Sequence, residues 1–242
     1  MAESPRSRIA HSGSSLSESG LITSYSNITK PKVLSDDQFN TWYNTVHIPD
    51  VLSTGAVTTA YRFRQADPES SKPYMAIYFV PDLAAIESKA FKNISMTHSS
   101  LPDGASIHDL AHFDTRIYSF TQEYVNEEQE PGLPFPNLLL AAMEPGRSPE
   151  MAADLDAWYR QEHLEQMSKE PGWRRSRRYN LLFNIDSIER APSCLSLYEF
   201  DETAELGVQV QPLDPMTDWT KKCMQEAQRI EAGIYTKIHD GD

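Results

Sequence analysis

Apolar and polar positions along the chain form two successive series of the same kind. In the first, Leu21 to Ile28 reads as a strand of mixed alternation closed by Pro31. Val57 to Arg64 and Tyr74 to Val80 are rich in aromatic and β-branched residues and read as the arms of a hairpin, parted by the turn-prone Asp67-Pro68-Glu69-Ser70-Ser71. Between the strand and the hairpin, Ser35-Asp36-Asp37-Gln38 has the form of a capping box, with acids in the first turn to suit the helix dipole. The helix it opens is predicted to end near His47, because the Pro49 ring clashes with further helical hydrogen bonding. Leu83 to Ile94 predicts a second helix and Phe113 to Tyr124 a fourth strand, so the order is βαββαβ.

The second series repeats the first. Asn137 to Met143 reads as a strand, Ser148-Pro149 caps and starts a helix, and Trp173 to Phe183 with Ser193 to Phe200 makes a hairpin. Trp219 to Ile230 predicts a helix and Gly233 to Ile238 the last strand. The two leading helices share one pattern: Phe39, Trp42, Tyr43 and His47 answer Leu155, Trp158, Tyr159 and His163 at a constant shift of 116 residues. That spacing places four side chains on one helical stripe, which must face a core or a pocket. The expected organisation is α+β: two ferredoxin-like βαββαβ repeats at 20–126 and 137–242, a charged, proline-bearing linker at 127–136, and a Ser-rich disordered leader at 1–19. Each four-stranded sheet carries its helices on one face, and two such units can cover each other's free faces to make a barrel within one chain.

Composition narrows the function. A net charge of -13 disfavours electrostatic attachment to nucleic acid or an anionic membrane. No apolar run approaches the roughly 20 residues of a membrane span, and Met1 to Gly20 lacks the apolar region of a signal peptide, so an intracellular, cytoplasmic protein is expected. Cys194 and Cys223 are too few for a disulfide framework or a thiolate metal site. Phosphate-binding glycine loops, dinucleotide fingerprints and G-x-S-x-G elbows are absent, which leaves acid-base chemistry in an enclosed pocket.

The motif Phe39-x-x-Trp42-Tyr43-x-x-x-His47-Ile48-Pro49-Asp50, on the first helix of a βαββαβ unit, resembles the dimeric α/β-barrel superfamily, in particular its EthD-like branch, here as a tandem fusion. The resemblance spans about residues 20 to 240 and implies an intramolecular dimeric α/β barrel, with ligands bound between sheet and helices and His and Tyr moving protons. Proteins similar to this include cofactor-independent cyclases, isomerases, quinone-forming monooxygenases and haem-binding enzymes, so the fold does not choose the reaction. The second copy departs from the pattern, reading His163-Leu164-Glu165-Gln166 without the proline.

His47 and His163 are the candidate general acid or base. Tyr43 or Tyr61 would stabilise an enolate oxygen. Trp42, Tyr61, Tyr74 and Tyr78 are expected to line the first pocket, with His98 reaching it, and Trp158 and Tyr159 the second, beside the ordinary role of such aromatic residues in a helix core. His108 and His112 are four apart, a metal-binding spacing on a helical turn, but have no convincing third ligand, so no metal is assigned. Arg174, Arg175, Arg177 and Arg178 either pair with acids or bind a substrate carboxylate. The expected function is a cofactor-free enzyme of specialised metabolism, a cyclase, isomerase, dehydratase or decarboxylase, acting on a hydrophobic carbonyl-bearing polyketide- or terpenoid-like molecule. The alternatives are a non-catalytic binding protein for an apolar metabolite and a haem or cofactor-free oxygenase of the same superfamily. A monomer or a homodimer is compatible with a fused chain.

Overall fold

The computed structural model describes residues 6–9, 18–125, 135–185 and 190–241. The strands are β1 (Arg6–Ile9), β2 (Gly20–Ile28), β3 (Thr59–Gln65), β4 (Tyr74–Val80), β5 (Ala111–Val125), β6 (Asn137–Glu144), β7 (Trp173–Ile185), β8 (Cys194–Phe200) and β9 (Arg229–Gly241). The α-helices are α1 (Asp36–Trp42), α2 (Ile48–Ser53), α3 (Lys89–Lys92), α4 (Pro149–Trp158), α5 (Leu164–Met167) and α6 (Asp218–Glu226). Strand neighbours follow the order β1-β5-β2-β4-β3-β9-β6-β8-β7, and β5 also pairs with β7. Every ladder whose register is given is antiparallel, for example Ile22 opposite Tyr78 and Leu139 opposite Tyr198.

The chain forms two compact units. The first comprises the described residues of Gly13–Ser119, Leu182–Arg190 and Lys237–Asp242, the second those of Met1–Ser12, Phe120–Leu181 and Ala191–Thr236. The distal ends of β7 and β9 thus belong to the first unit and their opening residues to the second. In the first unit, Phe39, Trp42, Tyr43 and Val51 pack on Ile22, Ala60, Tyr74, Ala76 and Tyr78. In the second, Leu155, Trp158, Tyr159 and Met167 pack with Met143, Trp173, Tyr198 and Phe200. The expected leader lies outside the described residues except for residues 6–9 and 18–19; Arg6–Ile9 is a strand paired with Gln122–Val125. Of the expected linker only residues 135 and 136 are described.

Helix α1 starts as the sequence requires: the Ser35 hydroxyl accepts from the Gln38 N–H at 3.2 Å and the Gln38 side chain accepts from the Ser35 N–H at 3.2 Å. Its end differs from expectation. The helix passes His47 through a π-helical turn, Tyr43–His47, and continues over Pro49 to Ser53. The Ile48 N–H reaches back five residues to the Tyr43 carbonyl, and the wider turn is where a residue unable to donate the next bond is accommodated. An identical turn forms at Tyr159–His163, where no proline follows, so the motif rather than the proline sets it. The predicted helix over Leu83 to Ile94 is also corrected: it is a 3-10 turn, Leu83–Glu87, then a single turn of α-helix, Lys89–Lys92. Ser88 breaks the two, because its extended backbone lets its hydroxyl cap the second piece through the Phe91 N–H. Likewise α6 ends at Glu226, and Ile230 lies in a longer β9 that pairs with β6 from Arg229 onward.

Candidate active site

The first unit holds a cavity of about 260 Å³ between its sheet and the motif helix. Ile22, Ser24, Tyr78, Phe113 and Thr115 line it from the strands, Trp42, Tyr43, His47 and Val51 from the helix, and Phe91, Ile94, Met96 and His108 from the α3–β5 segment, with Ile185 from the end of β7. The corresponding cavity of the second unit, bounded by Trp158, Tyr159, His163 and Tyr198, is about 90 Å³, with Val210, Pro212, Leu213 and Met216 occupying its outer wall.

The π turn decides where the histidine points. Residues five apart on an α-helix lie about 140° apart around the axis, yet Trp42 and His47 are stacked with ring centroids at 5.1 Å and an interplanar angle of 19°. His47 also meets the Tyr43 ring edge-on at 5.0 Å. Its Nδ1 is buried without a hydrogen-bond partner among the described residues. Burial first, then the nearby charges of Arg62 and His108, lower its pKa to about 4, so the ring is neutral and has a lone pair to offer above that pH. Beside it the Tyr78 hydroxyl donates to the Tyr43 hydroxyl at 2.9 Å. Burial raises both phenols, Tyr78 well above its ordinary value, so both stay protonated donors. The Trp42 indole N–H, also buried, has no acceptor among the described residues.

In the second unit His163 Nδ1 is likewise buried and unbonded among the described residues, but Nε2 and the indole N–H are paired. His163 Nε2 is bonded to the Tyr198 hydroxyl at 2.9 Å, and its ring is stacked on Trp158 at 4.2 Å. The Trp158 N–H donates to Thr220 at 3.1 Å and to Glu162 at 3.2 Å. Burial, then the charge of Arg178, lowers the His163 pKa to about 3.

Of the expected site residues, Trp42, Tyr43, His47 and Tyr78 come together on one cavity, and Trp158, Tyr159 and His163 on the smaller one. Tyr61 does not join them. Alternation along β3 turns Ala60 and Arg62 toward the helices, and Tyr61 lies with Phe63, Phe79 and Lys237, whose ammonium is 4.6 Å from its ring. Tyr74 is a buried member of the same core that packs on Phe39 at 5.3 Å without lining the cavity. His98 is exposed and bonded to Ser100 at 2.8 Å in a local turn. His108, considered in the sequence only for a metal, is the imidazole that reaches the cavity, on an exposed 3-10 turn against Phe113. Its neighbour in spacing, His112, is exposed on β5, and among the described residues no group of three potential metal ligands assembles. The arginine cluster is paired: Arg174 with Asp201, Arg175 and Arg177 with Glu199, and Arg178 with Asp156. No helix among the described residues is long and apolar enough to cross a membrane.

In fold, the chain is similar to solved structures of the α/β-barrel kind. It aligns with an anthrone oxidase-like protein at a TM-score of 0.58 and 12% identity, over 93% of this chain and 92% of the other. It also aligns with a mutant chlorite dismutase from Candidatus Nitrospira defluvii at a TM-score of 0.52 and 7% identity, over 91% and 92% of the two chains. The dimeric α/β-barrel fold is therefore shared. In sequence, it is similar to core atranone cluster (CAC) protein 1 of Stachybotrys chlorohalonatus, 27% identical over 191 residues, which are 72% of this chain and 80% of that one. No protein-family model matches the chain.

Proposed function

We propose that the protein is a cofactor-free acid-base enzyme of specialised metabolism, of the isomerase, cyclase, dehydratase or decarboxylase type, acting on a hydrophobic carbonyl compound in the cavity of the first unit. We read the chain as a tandem, EthD-like duplication in which one ferredoxin-like repeat keeps the chemistry and the other keeps the fold. His47 takes a proton from the carbon next to the substrate carbonyl, leaving the electron pair as an enolate. The Tyr43 hydroxyl, whose oxygen already accepts from Tyr78, donates to the enolate oxygen. His47 then returns the proton to another position, or the enolate expels a leaving group. Trp42 and the apolar wall of Ile22, Phe91, Ile94 and Met96 hold the ligand and exclude water.

The observation that carries this reading is that His47 is a neutral, unpartnered imidazole on the wall of the larger cavity, whereas His163 is bonded to Tyr198. A buried polar atom that makes no bond within the protein calls for an explanation, and on a cavity wall a ligand is one. Similarity to a protein of the core atranone cluster supports the metabolic setting. The cavity of about 260 Å³ suits a ligand smaller than a porphyrin.

Proton abstraction from carbon is tested by incubating the protein with metabolite extract in D₂O, in air and under nitrogen. Deuterium gain or loss of water or carbon dioxide from one compound, equal in both atmospheres, is the expected result. Gain of oxygen in air alone would replace the isomerase or lyase reading with cofactor-free oxygenation, which the similarity to an anthrone oxidase-like fold makes the second reading. Retention of a compound unchanged would make the chain a binding protein.

A further inference from the structure

Each unit buries an arginine under the tyrosine of its motif, and the two arginines are compensated differently. Arg178 lies 4.2 Å from the Tyr159 ring. Its Nη1 donates to Gln122 at 2.7 Å and its Nη2 to Asp156 at 2.9 Å. Arg62 lies 4.2 Å from the Tyr43 ring, with Tyr74 at 5.5 Å and Phe39 at 5.4 Å. It is 0% exposed, yet among the described residues its one hydrogen bond is from Nη1 to the Asn44 amide oxygen at 2.8 Å, and Nε and Nη2 find no acceptor.

The missing partner can be traced to one position. Asp156 stands three residues before Tyr159, and the residue three before Tyr43 is Asn40, whose side-chain oxygen is buried and likewise unpartnered. Among the described residues, the groups that face Arg62 are Tyr43, Tyr74, Tyr78 and Asn44, with His47 within reach of its charge. The phenols are kept protonated and the imidazole neutral by burial, so no negative charge answers the guanidinium. A buried cation without a counter-charge is costly unless something supplies one.

We infer that Arg62 is a positioning residue that biases the first unit's cavity toward an oxyanion, so that its ligand is a planar phenol or enol held as the anion, with Tyr43 donating to the oxygen and Arg62 supplying the balancing charge from behind the Tyr43 ring. This rests on the cavity being the active site and names its ligand class: compounds whose carbonyl is readily enolised into an aromatic or conjugated oxyanion. On binding, the phenol O–H breaks, the electron pair stays on oxygen and the proton leaves to solvent. The anion is stabilised as the enolate would be.

The test uses 4-nitrophenol, which is yellow when ionised and colourless when neutral, titrated into the intact protein one pH unit below the dye's own pKa. Saturable binding with the bound dye ionised is expected, its pKa lowered by about one unit or more by the unpaired cation, a tenfold shift in the equilibrium. Asn40→Asp supplies Arg62 with the carboxylate found in the second unit. It should bind the dye in neutral form and unfold at a higher temperature than wild type. Arg62→Gln, checked by circular dichroism, should also lose the ionised form, whatever its stability. Dye bound neutral by wild type, or equally ionised in wild type and Asn40→Asp, overturns the role of Arg62 while leaving the cavity as a binding site. No saturable binding to wild type overturns both.

Discussion

At the scale of single residues, the chemistry turns on which polar atoms the protein leaves unbonded. Tyr43 and Tyr159 occupy the same place in the motif and both are buried, but Tyr43 accepts from Tyr78 beside an open cavity, while Tyr159 meets the sulfur of Met143 at 3.5 Å. Tyr43→Phe removes the donor to the developing oxyanion and keeps the ring that packs on Phe39, Trp42 and Arg62. The expected loss is about 10²- to 10³-fold in kcat with the fold intact, and Tyr159→Phe should leave turnover near wild type. Steady-state kinetics of the two variants checks this. His47, Trp42, Tyr43 and Tyr78 were legible in the sequence because aromatic and imidazole side chains at regular spacing mark an inward face. Arg62 was not, since charged residues on strands ordinarily face solvent and no sequence rule shows that Asn40 withholds its counter-charge. Tyr61 was misplaced because one step along a strand reverses the face.

At the scale of elements, the motif helix acts through its π turn. Regular α-helical spacing puts His47 one turn beyond Tyr43 on the stripe but about 140° from Trp42; the extra residue of the Tyr43–His47 turn brings the imidazole over the Trp42 ring. Inserting one alanine after exposed Thr45 adds about 100° of helical rotation, so it should swing His47 from the cavity and reduce turnover by at least about 10²-fold, the typical contribution of a positioned base, with far-UV circular dichroism unchanged. Inserting one alanine after exposed Gln161 should leave turnover intact. Equal losses in the two insertions would show that the turns serve folding alone. The sequence carried the helix start through the Ser35 capping box, but the π turn has no propensity signature, and Pro49 argued for an end that the widened turn made unnecessary. The helix predicted over Leu83 to Ile94 failed for a simpler reason: Ser88 competes for the backbone N–H groups that a continuous helix needs.

Across the whole molecule, two half-buried histidines, each with its Nδ1 buried, couple protonation to folding. His47 and His163 titrate at about 4 and about 3 in the folded chain, against an ordinary value of 6.5. Between those values the unfolded chain binds protons that the folded chain refuses, so acidification through that window favours unfolding. The denaturant midpoint should be level above about pH 6.5 and fall as the pH is lowered toward about 4. His163→Gln should flatten that slope; a midpoint unchanged from pH 7 to pH 4 would contradict the burial of both rings. Eight of the nine strands in the described residues could be read from sequence; β1 falls in the segment expected to be a disordered leader, and β9 runs longer at both ends. The assignment of residues 182–185 and 237–241 to the first unit could not, because strand partners distant in sequence leave no local pattern.

The central claim is that chemistry resides at His47 and not at its counterpart. The direct measurement is turnover by wild type, His47→Ala and His163→Ala, followed by mass spectrometry of small molecules after incubation with metabolite extract, once circular dichroism has shown all three folded. Conversion by wild type and His163→Ala, with a loss of about 10²- to 10⁴-fold in His47→Ala, is predicted. Full conversion by His47→Ala would contradict the account.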